Sequence, residues 1–213
     1  MIPLLIIISY IVVLFIVTLI YKRFSSNNRE FLRKIIHIGI GPLIPIAKSL
    51  DINQSTALYF AGSISILILI NYIYRLFPII EDIDRKSFGT FFYCLSLSIL
   101  IYLFWNKDPA SLIAGSFIMS FGDGFAGLLG KNIKTKNWKI LNQTKSVLGT
   151  FTMFLMSLII IYSIGYLNNY ELNFYYLGIA LLVTILEQFS AVGIDNLIVP
   201  IISSVSFHFL TTN

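Results

Sequence analysis

Apolar runs about twenty residues long recur through the chain, and they restrict its folding more than any other feature. The first, Met1 to Ile20, contains no charged residue. A membrane-spanning helix needs roughly 20 such residues, because each adds about 1.5 Å across a hydrocarbon core about 30 Å thick. Further candidate spans are about 35–50, 56–74, 89–105, 110–130, 147–166 and 174–192. A shorter stretch, about 197–211, is a candidate eighth span or a re-entrant segment. Of 213 residues, 57% are hydrophobic and 12% charged, about half the ~25% charge of a soluble domain. Lipid must therefore cover much of the apolar surface. The expected fold is all-α, a polytopic integral membrane helix bundle of seven spans plus the eighth candidate, making one domain over 1–213. Gly39, Gly41, Pro42 and Pro45 predict that the second candidate is broken.

The loops predict orientation. Lys22, Arg23, Arg29, Arg33 and Lys34 lie in loop 21–34, and Arg75, Arg85 and Lys86 in loop 75–88. Lys131, Lys134, Lys136, Lys139 and Lys145 lie in loop 131–146. These are alternate loops, and they hold all of the 15 Lys and Arg residues except Lys48 and Lys107. The positive-inside rule makes their side cytoplasmic and puts the N-terminus outside. A net charge of +5 distributed in this way reads as topology and attraction to anionic lipid heads, not as a nucleic-acid surface. The first run lacks a basic leader region and is followed by "YKRF", so it is expected to be a retained span. The single Cys94 gives no disulfide framework. Nothing in the sequence sets the oligomeric state.

Polar groups within or beside the spans carry the functional signal. A charge at the bilayer centre costs roughly 2.5–3.5 kcal/mol on insertion scales, so such groups face a bundle interior or a wet cavity. In "SFGDGFAGLLGK" Asp123, Gly127 and Gly130 share a helix face at i, i+4 and i+7. Small-residue helix packing accounts for Gly127 and Gly130. Gly122 and Gly124, on either side of the acid, predict a helix break or a close backbone approach to a ligand. Backbone N–H groups exposed at such a break bind phosphate. The string "GDGFAG" also satisfies G-x-G-x-x-G, but without a preceding strand it is no dinucleotide fingerprint.

"NQTKSVLGT" places Lys145, Ser146 and Gly149 where a cytoplasmic loop re-enters the membrane, and "DRKSFGTFFY" repeats the pattern with Arg85, Lys86, Ser87 and Gly89. Two such stretches at cytoplasmic helix starts suggest a divided polyanion pocket, with lysine as a point-charge phosphate ligand. "LRKIIHIG" sets Arg33 and Lys34 on the face of His37. Their charges make His37 a candidate phosphate or headgroup contact, whereas His208, with no charged sequence neighbour, reads as structural. "LEQFSAVGIDNLIVP" adds Glu187, Asp195 and Asn196, oxygen donors of the kind Mg²⁺ takes. A helix cap would explain Asp195 or Asn196 but not Glu187. Basic groups, glycines and carboxylates converging on one leaflet suit a nucleoside triphosphate with Mg²⁺, meeting a substrate that arrives through lipid.

These motifs, in this order over about residues 29–200, resemble the membrane lipid-alcohol kinases that use CTP. That family comprises phytol kinase, dolichol kinase and CTP-dependent diacylglycerol kinase, with phosphatidate cytidylyltransferases as more distant relatives. Small chains without extra domains look most like phytol kinase, and "GIDNLIVP" stands where cytidylyltransferases carry a Gly-His-Gly-Gly signature. The resemblance implies transfer of the γ-phosphoryl of CTP to a long-chain alcohol, phytol or another prenol, at the cytoplasmic face. It implies Asp123 as a metal ligand or proton acceptor, and Lys145 and Ser146 on the triphosphate. Arg33, Lys34, Arg85, Lys86 and Lys131 would add positive potential. Glu187, Asp195 and Asn196 would hold Mg²⁺ or orient cytidine or hydroxyl. The alternatives are a CDP-lipid synthase and a proton- or cation-coupled transporter working through Asp123 and Glu187.

Overall fold

A computed structural model describes residues 2–24, 29–74, 88–141, 143–189 and 192–212. Arg75, Arg85, Lys86 and Ser87 lie outside the described residues. The chain runs α1 (Ile2–Phe24), α2 (Arg29–Ile40), α3 (Leu43–Ser49), α4 (Gln54–Tyr74) and α5 (Gly89–Phe104). Next come α6 (Pro109–Phe117), a π-helical stretch (Ile118–Asp123) and α7 (Gly124–Asn132), which form one continuous rod. A hairpin of β1 (Asn137–Ile140) and β2 (Gln143–Ser146) leads into α8 (Val147–Leu167), α9 (Tyr175–Gln188) and α10 (Asp195–Thr212).

Four stretches, Ile2–Tyr21, Gln54–Tyr74, Pro109–Asn132 and Val147–Leu167, are long and apolar enough to cross a membrane. α5 and α9 are apolar but shorter. The candidate span at 35–50 is two helices separated at Gly41–Pro42, as its glycines and prolines predict. The fold is helical, as expected, with one small addition: the basic loop folds into an antiparallel hairpin with Trp138 opposite Lys145. Two expectations need correction. The span at 174–192 stops earlier, since α9 ends at Gln188. No break occurs around Asp123; the helix widens into a π turn and continues.

Two apolar clusters hold the bundle. One gathers Met119, Met153, Val183, Tyr176 and Phe207 from the central rod, α8, α9 and α10. The other joins Ile44, Leu100, Trp105 and Leu112 from α3, α5 and α6. The rod meets α10 through Gly115, where an added Cβ would lie 2.0 Å from Ser204 Oγ and 2.4 Å from the Pro200 carbonyl. Asp108 caps α6 by accepting from Ser111 N at 3.1 Å, and its other oxygen lies 2.7 Å from His208 Nδ1. His208 is structural, with a charged partner 100 residues away in sequence. α1 packs mainly on α2 and α3, and α4 on α5. Most of the apolar surface of α1 stays exposed, as expected of a helix bathed in lipid.

Candidate functional site

Helix α2 presents Lys34 and His37 one turn apart toward the rod. Lys34 reaches across the rod at Gly127, where a Cβ would stand 2.4 Å from Lys34 Cε and 2.9 Å from Nζ. The missing side chain lets Nζ donate to Asp123 Oδ2 at 2.6 Å and to the Asp123 carbonyl at 3.0 Å. His37 Nε2 lies 3.0 Å from the Met119 carbonyl and 3.3 Å from Asp123 Oδ2. Both of these neighbours accept, so that nitrogen carries the proton. Met119 belongs to the π-helical stretch, where wide turns commonly mark functional sites. The Tyr93 ring packs on His37 with centroids 4.3 Å apart.

A second ion pair lies alongside. Lys145 on β2 donates to the Glu187 carbonyl at 2.7 Å and to the Glu187 carboxylate. Gln188 Nε2 donates to Glu187 Oε2 at 2.7 Å and to Thr150 Oγ1 at 3.0 Å. Ser146 caps α8, its Oγ accepting from Gly149 N at 3.1 Å. The Ser-x-x-Gly spacing is therefore explained by a helix start, which leaves the hydroxyl proton for a further acceptor. Gly193, at φ 88, turns the chain into α10. There Asp195 is half-buried, and its buried Oδ1 lacks a hydrogen-bond partner.

These groups line one cavity of about 680 Å³. At its polar end lie Lys34, His37 and Asp123; Lys145 and Glu187; and Asp195 with Asn196. Arg33, Gly89, Lys131, Ser146 and Gly149 line it too, as do Gly127 and Gly130. Gly122 and Gly124 do not. Their small faces pack on α8 and α2, where a Cβ would meet Met153 Sδ at 3.1 Å and Ile38 Cγ1 at 2.4 Å. Gly122 and Gly124 serve helix packing, and so does Gly130, whose added Cβ would lie 2.6 Å from Ser146 Oγ and 3.1 Å from Gly149 Cα; Gly127 makes room for Lys34 at the cavity. Sequence reasoning passed over Tyr93, Gln188 and Thr150. Tyr93 and Thr150 stand at the ends of the two motifs that carried the resemblance, and Gln188 adjoins Glu187, so position relative to those motifs was the available signal.

The other end of the cavity is apolar and is formed by α1, α4 and α5, down to Trp105. A single chamber therefore joins a charged end to a hydrocarbon-lined end. Among the described residues no group of three or more His, Cys, Asp or Glu side chains forms a ready metal-ligand set. The donors suit a hard cation nonetheless. Asp123, Glu187 and Asp195 line the same cavity, and Asp195 Oδ1 is an orphaned buried oxygen. Mg²⁺ typically takes one or two carboxylates and completes its shell with phosphate oxygens and water.

Comparison with known proteins gives the same direction. The chain is 34% identical over 190 residues to a phytol kinase of Synechocystis, covering 84% of this chain and 79% of that protein. It is 28% identical over 194 residues to phytol kinase 1, chloroplastic, of Arabidopsis thaliana, covering 79% of this chain and 62% of the relative. It is also 28% identical over 151 residues to a probable phytol kinase 2, chloroplastic, of Glycine max, covering 66% of this chain and 50% of the relative. No protein-family model matches the chain, and no solved structure matches it.

Proposed function

The chain belongs to the phytol kinase family, and on that premise we propose that it moves the γ-phosphoryl group of CTP to the hydroxyl of a long-chain lipid alcohol. Phytol or another prenol is the proposed acceptor, and the cytoplasmic face of a membrane the proposed location. One observation carries this reading: the cavity joins a cluster of lysines and carboxylates to a hydrocarbon-lined chamber. A triphosphate needs the first end and a greasy alcohol the second, and the hydroxyl falls at the boundary.

Phosphoryl transfer depends on positioning and on neutralising charge at the transferred group. In the free protein Lys34 and Lys145 are held by Asp123 and Glu187. An arriving triphosphate competes for both ammonium groups, which then turn to its oxygens. Arg33 and Lys131 add positive potential at the same end. Asp123, released from Lys34, accepts the proton of the alcohol as its oxygen bonds to the γ-phosphorus. The bond from that phosphorus to the β–γ bridging oxygen breaks, and CDP leaves. His37, itself hydrogen-bonded to the Met119 carbonyl, holds the carboxylate in register for this step. Asp195, with Glu187 or Asn196 beside it, would hold Mg²⁺, which when bound neutralises phosphate charge.

CTP as donor and Mg²⁺ as metal rest on the family resemblance and on the oxygen-only donor set. The cytoplasmic assignment and the count of seven spans rest on the basic loops and apolar runs of the sequence. Purified protein incubated with prenyl alcohol and CTP labelled at the γ-phosphate tests the reaction. Label in the lipid with CDP released supports the kinase. A cytidyl group left on the lipid with pyrophosphate released would instead mean a CDP-lipid synthase. Solute flux into sealed vesicles without nucleotide use would mean a transporter.

A further inference from the structure

The apolar half of the cavity has a fixed length and a rigid end. On α5 the lining residues Thr90, Tyr93, Leu97, Ile101 and Trp105 follow one helix face. From the first to the last is about 22 Å at 1.5 Å per residue, more than one leaflet of a hydrocarbon core about 30 Å thick. Opposite, α4 presents Ala57 and Ala61, whose small side chains leave the slot its width. Trp105 lines the far end and is 1% exposed. Its indole Nε1 donates to the Ile52 carbonyl at 3.1 Å. Lys48 Nζ donates to the Trp105 carbonyl at 3.1 Å and lies 5.0 Å from the ring centroid. An indole held by a hydrogen bond and a cation over its ring does not swing aside readily.

We infer that this chamber is a length-limited slot for a single hydrocarbon tail, with Trp105 as its end-stop, so that the protein accepts one-chain alcohols up to a set length and rejects two-chain glycerolipids. The inference rests on the kinase reading for the hydroxyl's position at the polar end. Selection must be steric. A tail that leaves lipid for a protein groove gains no hydrophobic energy, since acyl chains are as apolar as leucine. A tail that falls short leaves cavity walls without contact partners. A tail that is too long must dislodge Trp105 or fold back. The whole cavity measures about 680 Å³, polar end included, so the tail has only a part of the ~300–1,000 Å³ of an ordinary pocket. The seam between α1, which packs on α2 and α3, and α4, which packs on α5, is the lateral way in from the bilayer.

Two measurements on the full chain in lipid nanodiscs test this. The chain has 2 tryptophans, so a Trp138→Phe background leaves Trp105 as the sole indole emitter. Without nucleotide, a four-isoprene alcohol brominated at its tail should quench that emission, and one brominated beside the hydroxyl should not. Equal quenching by both, or none at saturating binding, overturns the slot. Relative rates with prenyl alcohols of two to six isoprene units should fall at least about tenfold one unit past the optimum, as closed apolar pockets discriminate. Trp105→Ala should move that cutoff to longer chains and Ala61→Phe to shorter ones, the second serving if the first does not fold. An unmoved cutoff in a folded variant, or diacylglycerol phosphorylated as fast as prenol, overturns the inference. Tail-specific quenching without any phosphoryl transfer would keep the slot and remove the kinase reading; transfer without a cutoff would do the reverse.

Discussion

Replacing Lys34 by methionine separates what the buried ion pair does for folding from what it does for chemistry. Lys34 Nζ sits 2.6 Å from Asp123 Oδ2, and the two side chains are only 9% and 12% exposed. Removing one member of a buried pair typically costs about 3–5 kcal/mol, because the other charge is left uncompensated. Here His37 Nε2 remains 3.3 Å from the same oxygen, which puts Lys34→Met near the lower figure, about 3 kcal/mol. At ~2–4 °C per kcal/mol for a chain of this size, the unfolding midpoint should fall by about 6–12 °C. Adding Asp123→Leu exchanges the pair for two apolar side chains, a change that is commonly neutral or stabilising. The double variant should therefore regain the parent's midpoint and transfer no label from γ-labelled CTP. Thermal unfolding in detergent and label transfer are measured on the same preparations. If Lys34→Met melts and reacts like the parent, or if the double variant is active, the pair is not the hinge of the site and the reasoning fails.

Gly127→Ala gains helix propensity, up to ~1 kcal/mol, yet its methyl collides with Lys34; the unfolding midpoint should fall, though by less than in Lys34→Met, while transfer drops at least about tenfold, a loss of ~1.4 kcal/mol in transition-state stabilisation. Gly122→Ala crowds the flexible Met153 sulfur at 3.1 Å and makes ordinary contact with Ser157 Oγ at 3.6 Å, so its transfer rate should match the parent's. Lys145→Ala should raise the KM for CTP more than it lowers kcat, measured across CTP concentrations; unchanged kinetics would count against its phosphate role. The Asp108 carboxyl is raised by burial but more strongly lowered by its hydrogen bonds from Ser111 and His208, and ends below its usual value. Its stabilising contribution is thus complete above the unfolded pKa of ~3.9 and is lost as pH falls through the lower folded value. Midpoints measured down an acid series should decline less in Asp108→Asn than in the parent.

Asp123 shows how far the sequence could be read. An acid in an apolar run has to face inward, and its helical spacing to Gly127 is visible without coordinates. Its partner was not legible. Lys34 lies 89 residues away, and only the packing of α2 across the rod reveals that a bare glycine exists to admit a lysine. Gly122 and Gly124 misled for the same reason: glycine beside an acid reads equally as backbone exposure or as helix contact, and the neighbours that decide between them come from α8 and α2. The hairpin escaped notice because its strands are four residues each inside a lysine-rich loop. There the charge pattern that gives membrane orientation conceals the alternation that gives a strand. Trp105 carried no motif at all; its place at the cavity end follows from α3 and the chain near Ile52 closing over it.

The π-helical stretch Ile118–Asp123 sets the phase between two halves of a single rod. Upstream, Gly115 is fitted against α10; downstream, Gly127 and Gly130 are fitted against Lys34 and Ser146. Deleting one residue from that stretch would let the rod become a regular α-helix, but everything beyond it would rotate by about 100° and retreat by about 1.5 Å. Hydropathy, length and the outer seam would all survive. The carboxylate would instead be aimed into a neighbouring helix, so catalysis could be abolished by an indel that alters no active-site side chain.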